Sequence, residues 1–157
     1  MSEIRAMRFV PWGLAAVLLL ATQASGAKEP TRVEFHDDGT VVPKGLPFSE
    51  AVRVGEVLYL SGQIGNEADG TLPAGIEAQS RQVMDNIGAV LKSAGLGFGD
   101  VVKCTVMIDD IKQWADFNKV YVTYFPDGKF PARSAFGADG LAMGALIEVE
   151  CWAHMPK

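Results

Sequence analysis

The segment at residues 146–155 most constrains the fold, because apolar and polar side chains alternate along it. Successive side chains of a β-strand point to opposite faces of the sheet. The odd positions are all apolar, as expected of a face that packs on a core. The even positions after Leu146 carry Glu148, Glu150, Trp152 and His154. The segment therefore predicts a strand with one buried face and one face that offers carboxylates, an indole and an imidazole.

The rest of the chain predicts an α+β domain. Apolar side chains recur at helical spacing over residues 75–94 and 114–124, which predicts two amphipathic helices. Alternating or β-branched runs predict strands at residues 32–36, 49–54, 56–64, 101–109, 133–136 and 145–154. The order is ββαβαββ, preceded by the weak strand at 32–36. Two helices can cover only one face of such a sheet, so we expect an α+β layered fold.

Several side chains are assigned by these patterns. Alternation in the strand at residues 101–109 predicts a single core-facing set, formed by Val102, Cys104, Val106 and Ile108. Helical spacing predicts that Trp114 and Tyr121 are core residues. Trp152 lies on the face of the sheet that the helices leave open, and a large aromatic is rarely left in water when a partner can cover it. We therefore expect a homo-oligomer packed through its sheets.

The start of the chain resembles an export signal. Arg5 and Arg8 precede a 13-residue apolar run at residues 9–21, and small residues follow at 24–27. This pattern predicts a signal peptide at residues 1–27 and a mature domain at residues 28–157. The run is shorter than the roughly 20 residues of a membrane span. We expect a periplasmic or secreted protein that leaves the membrane after cleavage; an uncleaved anchor or an overcalled start codon are the alternatives.

Charge and cysteine content restrict the partners. Without Glu3, Arg5 and Arg8, 12 basic and 18 acidic side chains remain, a net charge of −6. Such a domain repels a phosphate backbone, so we expect no nucleic-acid partner. No His/Cys cluster has metal-ligand spacing, and no metal is predicted. Cys104 and Cys151 lie in strand-like runs, where they could pack as free thiols or pair as a disulfide in an oxidising compartment.

Two residues offer chemistry suited to a small acid. Arg133 follows Pro131 at the start of a strand, and a guanidinium can bind a carboxylate with two parallel hydrogen bonds. Glu148 lies about fifteen residues later and can orient water and transfer a proton. From the residues alone, Arg133 could equally form a salt bridge between subunits or end in solvent, and Glu148 could simply pair with a cation.

Several short motifs together resemble one protein family over residues 46–153. They are Leu60-Ser61-Gly62-Gln63-Ile64, Ala78-Gln79-Ser80-Arg81-Gln82, Asp85-Asn86-Ile87, Asn118, Pro131-Ala132-Arg133-Ser134 and Ile147-Glu148-Val149-Glu150. This set is similar to that of the Rid family, the reactive intermediate deaminases, also called YjgF-like or endoribonuclease L-PSP proteins.

The resemblance implies a chorismate-mutase-like fold. It also implies a homotrimer whose three sheets face a central barrel, with active sites in clefts between subunits. The implied activity is cofactor-free hydrolysis of 2-imino acids, formed from enamines such as 2-aminoacrylate, to 2-keto acids and ammonia. By the same resemblance, Arg133 and Glu148 are catalytic, and the substrate contacts are Arg133, Ser61, Phe48, Asn118 and Ala135.

The chain departs from the family pattern at three positions. Phe48 stands where a tyrosine is frequent, Glu50 where a neutral residue is usual, and Ala135 where many members have cysteine. These departures bear on substrate choice and leave an alternative open, a non-catalytic trimer that binds small carboxylates or acts like a chaperone. Ribonuclease activity, a historical label of the family, is disfavoured by the net charge of −6.

Overall fold

The computed structural model describes residues 31–156, so the signal-peptide prediction lies outside the described residues. The strands are β1 (Val33–His36), β2 (Ala51–Val54), β3 (Val57–Leu60), β4 (Gln63–Ile64), β5 (Val101–Ile108), β6 (Ala132–Gly137) and β7 (Ile147–His154). The helices are α1 (Ile76–Ser93) and α2 (Trp114–Tyr121), and short 3₁₀ turns join several elements. No helix within residues 31–156 has the length and apolar character needed to cross a membrane.

One mixed sheet contains all seven strands in the order β1-β2-β3-β7-β5-β6, with β4 also paired to β7. β7 runs antiparallel to β3, β4 and β5, whereas β5 and β6 are parallel. Both helices pack on the same face and enclose a single core with β3, β5 and β7. The predicted α+β sheet with two helices on one face is confirmed.

The alternation in β7 produces the predicted two faces. Ile147, Val149, Cys151 and Ala153 are all fully buried against the helices. Burial of such side chains contributes about 1.5–3 kcal/mol each for the larger aliphatic ones. Cys151 lies directly opposite Cys104 of β5, and the two form a disulfide across the strands. The pairing that the sequence left open is therefore present in the structure.

Three local predictions were wrong. A β-bulge between Val101 and Lys103 interrupts the alternation, so Val101 is buried and Val102 is half exposed. The single strand predicted at residues 56–64 is two strands, β3 and β4, separated at residues 61–62. Trp114 is 39% exposed rather than a core residue, because the first turn of α2 lies at the edge of the sheet beside β6.

Candidate active site

Arg133 lies in a cavity of about 470 Å³ between α2 and the edge strand β6. Its Cζ is 4.5 Å from the ring centroid of Tyr121 and 5.6 Å from the centroids of Trp114 and Phe117. A guanidinium within about 6 Å of an aromatic face gains cation–π stabilisation. None of the ion pairs formed within residues 31–156 involves Arg133. The guanidinium is therefore held by rings, and its hydrogen-bond donors remain available to an anion.

Strand pairing explains the position of this arginine. Arg133 of β6 is paired in register with Cys104 of β5, whose side chain is fully buried under the helices. Paired residues of neighbouring strands point to the same side of a sheet. Arg133 therefore projects on the helix face, towards α2. Asn118 and Ala135 line the same cavity, as do Trp114, Tyr121, Val122, Phe130 and Pro131.

Two polar atoms near Arg133 have no hydrogen-bond partner within the described part of the chain. They are the side-chain oxygen of Asn118 and the hydroxyl of Tyr121, both buried. Burial raises the pKa of Tyr121, although the nearby charge of Arg133 acts in the opposite direction, so the phenol stays protonated at neutral pH. Buried polar groups are usually paired, and these two mark the cavity as a place for a polar ligand.

Tyr121 is a candidate site residue that the sequence did not assign. It was predicted to be a core residue, and its ring is indeed buried, with 3% of its surface exposed. Its spacing from Asn118 was a usable signal, because residues i and i+3 lie on the same side of a helix.

Glu148 lies in a second cavity, of about 590 Å³. This cavity is lined by Val42, Pro43, Leu46, Phe48, Ser61, Gly62, Gln63, Ile64, Asn66, Gly70, Ala142, Met143 and Glu148. Burial raises the pKa of the Glu148 carboxyl, and the negative charge of Glu150 raises it further. A carboxyl whose pKa is shifted towards neutrality is better suited to exchange protons near pH 7.

The chain beside Glu148 approaches its carboxylate closely. A β-carbon at Gly62 would collide with Oε1 of Glu148, so glycine is needed for the carboxylate to lie against this part of the backbone. The hydroxyl of Ser61 donates a hydrogen bond of 2.7 Å to the carbonyl of Ser49. Ser61 therefore fixes the strand end and also lines the cavity, and its hydroxyl oxygen can still accept a hydrogen bond.

The predicted site residues lie in two separate cavities of one chain. Arg133, Asn118 and Ala135 line the first cavity, and Glu148, Ser61 and Phe48 line the second. Glu148 neighbours the buried Ile147 and Val149 in β7, so it projects on the face away from the helices, opposite to Arg133. A site that uses both residues must combine two copies of the chain.

No group of three or more His, Cys, Asp or Glu side chains within residues 31–156 is arranged to hold a metal ion. The charged groups of the two cavities are instead one guanidinium and one carboxylate. The first cavity can therefore bind an anion, and the second can exchange protons.

A mixed sheet covered on one face by two helices is the fold of the Rid (YjgF-like) class of proteins. A family model described as Endoribonuclease L-PSP matches residues 42–155, and the chain belongs to this family. The membership predicted from the sequence motifs is confirmed.

Individual relatives agree with this assignment. The 2-iminobutanoate/2-iminopropanoate deaminase of Bos taurus is 42% identical over 109 residues, which cover 68% of this chain and 79% of that protein. A RutC family protein of Pyrococcus horikoshii is 40% identical over 115 residues, or 71% of this chain and 90% of the relative. The crystal structure of the YjgF gene product of E. coli superposes with a TM-score of 0.74 at 32% identity, covering 78% of this chain and 99% of that one.

Proposed function

We propose that the protein is an imine deaminase that hydrolyses 2-imino acids, including those formed from 2-aminoacrylate, to 2-keto acids and ammonia without a cofactor. The observation that carries the proposal is the guanidinium of Arg133, stacked on aromatic rings and unpaired with any carboxylate within residues 31–156. Relatives at about 40% identity are named 2-iminobutanoate/2-iminopropanoate deaminases, which supports the proposal.

The reaction requires three operations. Arg133 binds the substrate carboxylate through two charge-assisted hydrogen bonds. Glu148 accepts a proton from a water molecule as the water oxygen adds to C2 of the imine, and it delivers this proton to the imine nitrogen, which gives a carbinolamine. Glu148 then accepts the proton of the carbinolamine hydroxyl and delivers it to the nitrogen; the C–N bond breaks, ammonia leaves, and C2 becomes the ketone carbon. The pKa of Glu148, raised by burial and by Glu150, suits both proton transfers. Positioning of water and substrate supplies the rest of the rate increase.

The active unit in this proposal is a homotrimer with its sites in clefts between subunits. Arg133 and Glu148 project from opposite faces of one sheet, so a second copy is needed to place a guanidinium opposite the carboxylate. Exposed aromatic side chains on the open face, among them Phe35 and Trp152, offer a surface for that contact. In a cyclic trimer each chain would contribute Arg133 to one cleft and Glu148 to the next.

The predicted export of the chain is part of the same proposal. The Cys104–Cys151 disulfide supports it, because disulfides persist mainly in oxidising compartments. Mass spectrometry of the purified protein would show whether the mature chain begins near residue 28. A chain found only in the cytoplasm with residues 1–27 intact would contradict export and leave the enzymatic proposal untouched.

The enzymatic proposal is tested with imines that an amino-acid oxidase generates in situ, by following keto-acid release above the spontaneous rate. We expect Arg133→Ala and Glu148→Gln each to lower kcat/KM about 100-fold or more, since each removes a charged group that acts on the reacting molecule. Arg81→Ala is the matched control, because Arg81 is exposed on α1 and only pairs with Glu77. Equal activity of wild type and Arg133→Ala would end the proposal.

Mixing the two inactive variants tests whether the site is shared. In co-refolded random trimers, about one cleft in four would pair an intact Arg133 with an intact Glu148, and activity would return to about a quarter of wild type. Complementation requires that the two residues come from different chains. If the mixture stays inactive although mixed trimers form, each site is built from a single chain and the shared cleft is wrong.

A non-catalytic role is the second candidate. Phe48 and Ala135 leave the cavities without the hydroxyl and thiol that the family resemblance leads one to expect. Calorimetry with a 2-keto acid distinguishes the candidates: binding that Arg133→Ala abolishes, together with wild-type turnover no faster than the spontaneous rate, would establish a carboxylate-binding protein.

A further inference from the structure

The walls of the Glu148 cavity are apolar to a degree that the proposed reaction does not require. Glu148 is the only charged side chain among the lining residues within 31–156. The apolar ones are Val42, Pro43, Leu46, Phe48, Ile64, Ala142 and Met143. We propose that this cavity receives the side chain of 2-imino acids with extended apolar substituents, an inference that rests on the proposed function. In it, Glu50 is the positioning residue that holds the outer wall of the cavity, formed by Val42, Pro43, Leu46 and Phe48.

Glu50 is a buried carboxylate that binds backbone amides of the outer wall. It is 1% exposed, and its Oε1 accepts hydrogen bonds from the N–H groups of Val41 (2.6 Å) and Val42 (2.9 Å). Its Oε2 accepts a third, of 3.1 Å, from the N–H of Thr40. The carbonyl of Glu50 accepts a hydrogen bond from the N–H of Ser61, at the end of β3. One residue therefore ties residues 40–42 to the strand end beside Glu148.

These hydrogen bonds of Glu50 determine where the outer wall of the cavity lies. Val42 receives one of the Glu50 hydrogen bonds and lines the cavity with the adjoining Pro43. Leu46 and Phe48 complete this side and remain 42% and 45% exposed, a large fraction for such side chains in a concave surface. A charge-assisted hydrogen bond to an N–H is stronger than one between neutral groups, so three of them hold residues 40–42 firmly. The exposed apolar surface is what an apolar ligand would cover.

Met143 lines another part of the same cavity in an unfavourable backbone conformation. Its φ is 58°, and it is the only non-glycine residue within 31–156 with a positive φ. A non-glycine residue in this region is strained, and such strain clusters at ligand sites. Its side chain is 67% exposed and lines the cavity. Methionine is unbranched and polarizable, so it adapts to apolar groups of different shape.

These walls predict a graded substrate preference. Burying one methylene is worth about 0.8 kcal/mol, which is about fourfold in an equilibrium constant. A cavity of about 590 Å³ has room for a longer chain than that of a three-carbon acid. With a straight-chain series, we therefore expect kcat/KM to increase about fourfold per methylene from the imine of alanine through those of 2-aminobutyrate, norvaline and norleucine.

Variants of the two walls test the assignment. Glu50→Ala should raise KM for the norleucine imine at least tenfold more than KM for the alanine imine, and Glu50→Gln, which keeps one accepting oxygen, should do so less. Glu77→Gln, which alters an exposed carboxylate of α1, is the matched control. If the Glu50 variants do not fold, Met143→Gly removes another apolar part of the cavity wall and relieves the backbone strain. It should reduce the increase of kcat/KM with the length of the substrate side chain. Unchanged selectivity in the folded variants would overturn the proposal.

The outcome separates this inference from the proposed function. If kcat/KM does not change with the length of the substrate side chain in an enzyme that still requires Arg133, the apolar pocket is overturned and the proposed deaminase function stands. If no imine is hydrolysed, calorimetry with 2-oxopropanoate and 2-oxohexanoate decides instead. Tighter binding of 2-oxohexanoate, weakened by Met143→Gly, would support the pocket, and equal affinity for the two acids would overturn it.

Discussion

Arg133 lies in an environment suited to binding an anion, and it forms no ion pair within residues 31–156. Three aromatic side chains of α2 surround its guanidinium, and the nearest ring centroid is 4.5 Å away. Contact with the rings positions the planar guanidinium, and its fork of N–H groups is not paired with any carboxylate within residues 31–156. A lysine would supply a charge here but no planar group to stack, and it could not bind a carboxylate through a fork of two N–H groups.

Gly62 is the residue where a small substitution should affect chemistry far more than folding. The added β-carbon of Gly62→Ala would displace the end of the Glu148 side chain, which is flexible and moves at little cost. We expect kcat to fall about 10- to 100-fold while the melting temperature changes little, because proton transfer by a positioned group contributes about 10²- to 10⁴-fold. Gly99→Ala is the control, since no atom lies within 4 Å of its added β-carbon. Full activity of Gly62→Ala would show that the present position of Glu148 is not required.

The protonation of Glu148 predicts the acid limb of the pH profile. Burial and the charge of Glu150 raise the pKa of Glu148, so the carboxylate form appears at higher pH than for an exposed glutamate. Because the carboxylate accepts the first proton, kcat/KM should fall as pH drops through this raised pKa. Glu150→Gln removes the neighbouring negative charge and should move the acid limb to lower pH, whereas Glu67→Gln, at an exposed loop position, should leave it in place. A shift to higher pH in Glu150→Gln would contradict the assignment.

At the scale of elements, the disulfide joins the two strands on which the core is built. Cys104 of β5 and Cys151 of β7 are fully buried, and 47 residues separate them in sequence. A cross-link over a loop of this length restricts the unfolded chain and typically adds about 2–4 kcal/mol to the free energy of unfolding. The double variant Cys104→Ala/Cys151→Ala should lose about that amount in urea unfolding. Wild type should approach the variant when reductant is present, and a wild-type midpoint insensitive to reductant would contradict the prediction.

Periodicity made the two helices and the last strand predictable, because it is a local property of the chain. The buried odd positions of β7 and the two helical stripes follow from side-chain direction alone. The bulge between Val101 and Lys103 was not predictable. One extra residue changes which side chains at the start of β5 point to the core, and the composition of the segment gives no sign of it. The division of residues 56–64 depends on the hydrogen bonds of Ser61 to Ser49 and Glu50, which are distant in sequence.

The six candidate site residues came from the family resemblance, and their roles stay predictions. All six line one of the two cavities. Their division between the faces follows from the register of β6 on β5 and of β5 on β7, which no local pattern specifies. Tyr121 was missed because one side chain has two roles. Its ring packs in the core, and the same residue lines the Arg133 cavity with a buried hydroxyl that has no hydrogen-bond partner within residues 31–156.

At the scale of the molecule, the open face of the sheet carries a continuous row of large side chains. Phe35, Val52, Tyr59 and Trp152 are aligned across β1, β2, β3 and β7 by the strand register. Tyr59 and Trp152 pack edge to face with ring centroids 5.0 Å apart, yet Trp152 is 41% and Phe35 is 73% exposed. Exposed apolar surface of this kind is typical of protein interfaces. The row is therefore the surface through which we expect sheets of different chains to pack.

Disrupting this row of side chains should abolish activity without altering the Arg133 cavity or the Glu148 cavity. Trp152→Asp places a charge where the proposed trimer buries an indole, and an unpaired buried charge is strongly unfavourable. We expect sedimentation to change from trimer to monomer and deamination to fall to the level of Arg133→Ala, because isolated chains hold Arg133 and Glu148 on opposite faces. Ile111→Asp is the matched control, since Ile111 is also 41% exposed but lies outside the sheet. A monomeric Trp152→Asp protein with wild-type activity would show that one chain contains a complete site, and it would overturn the shared cleft on which the proposed mechanism depends.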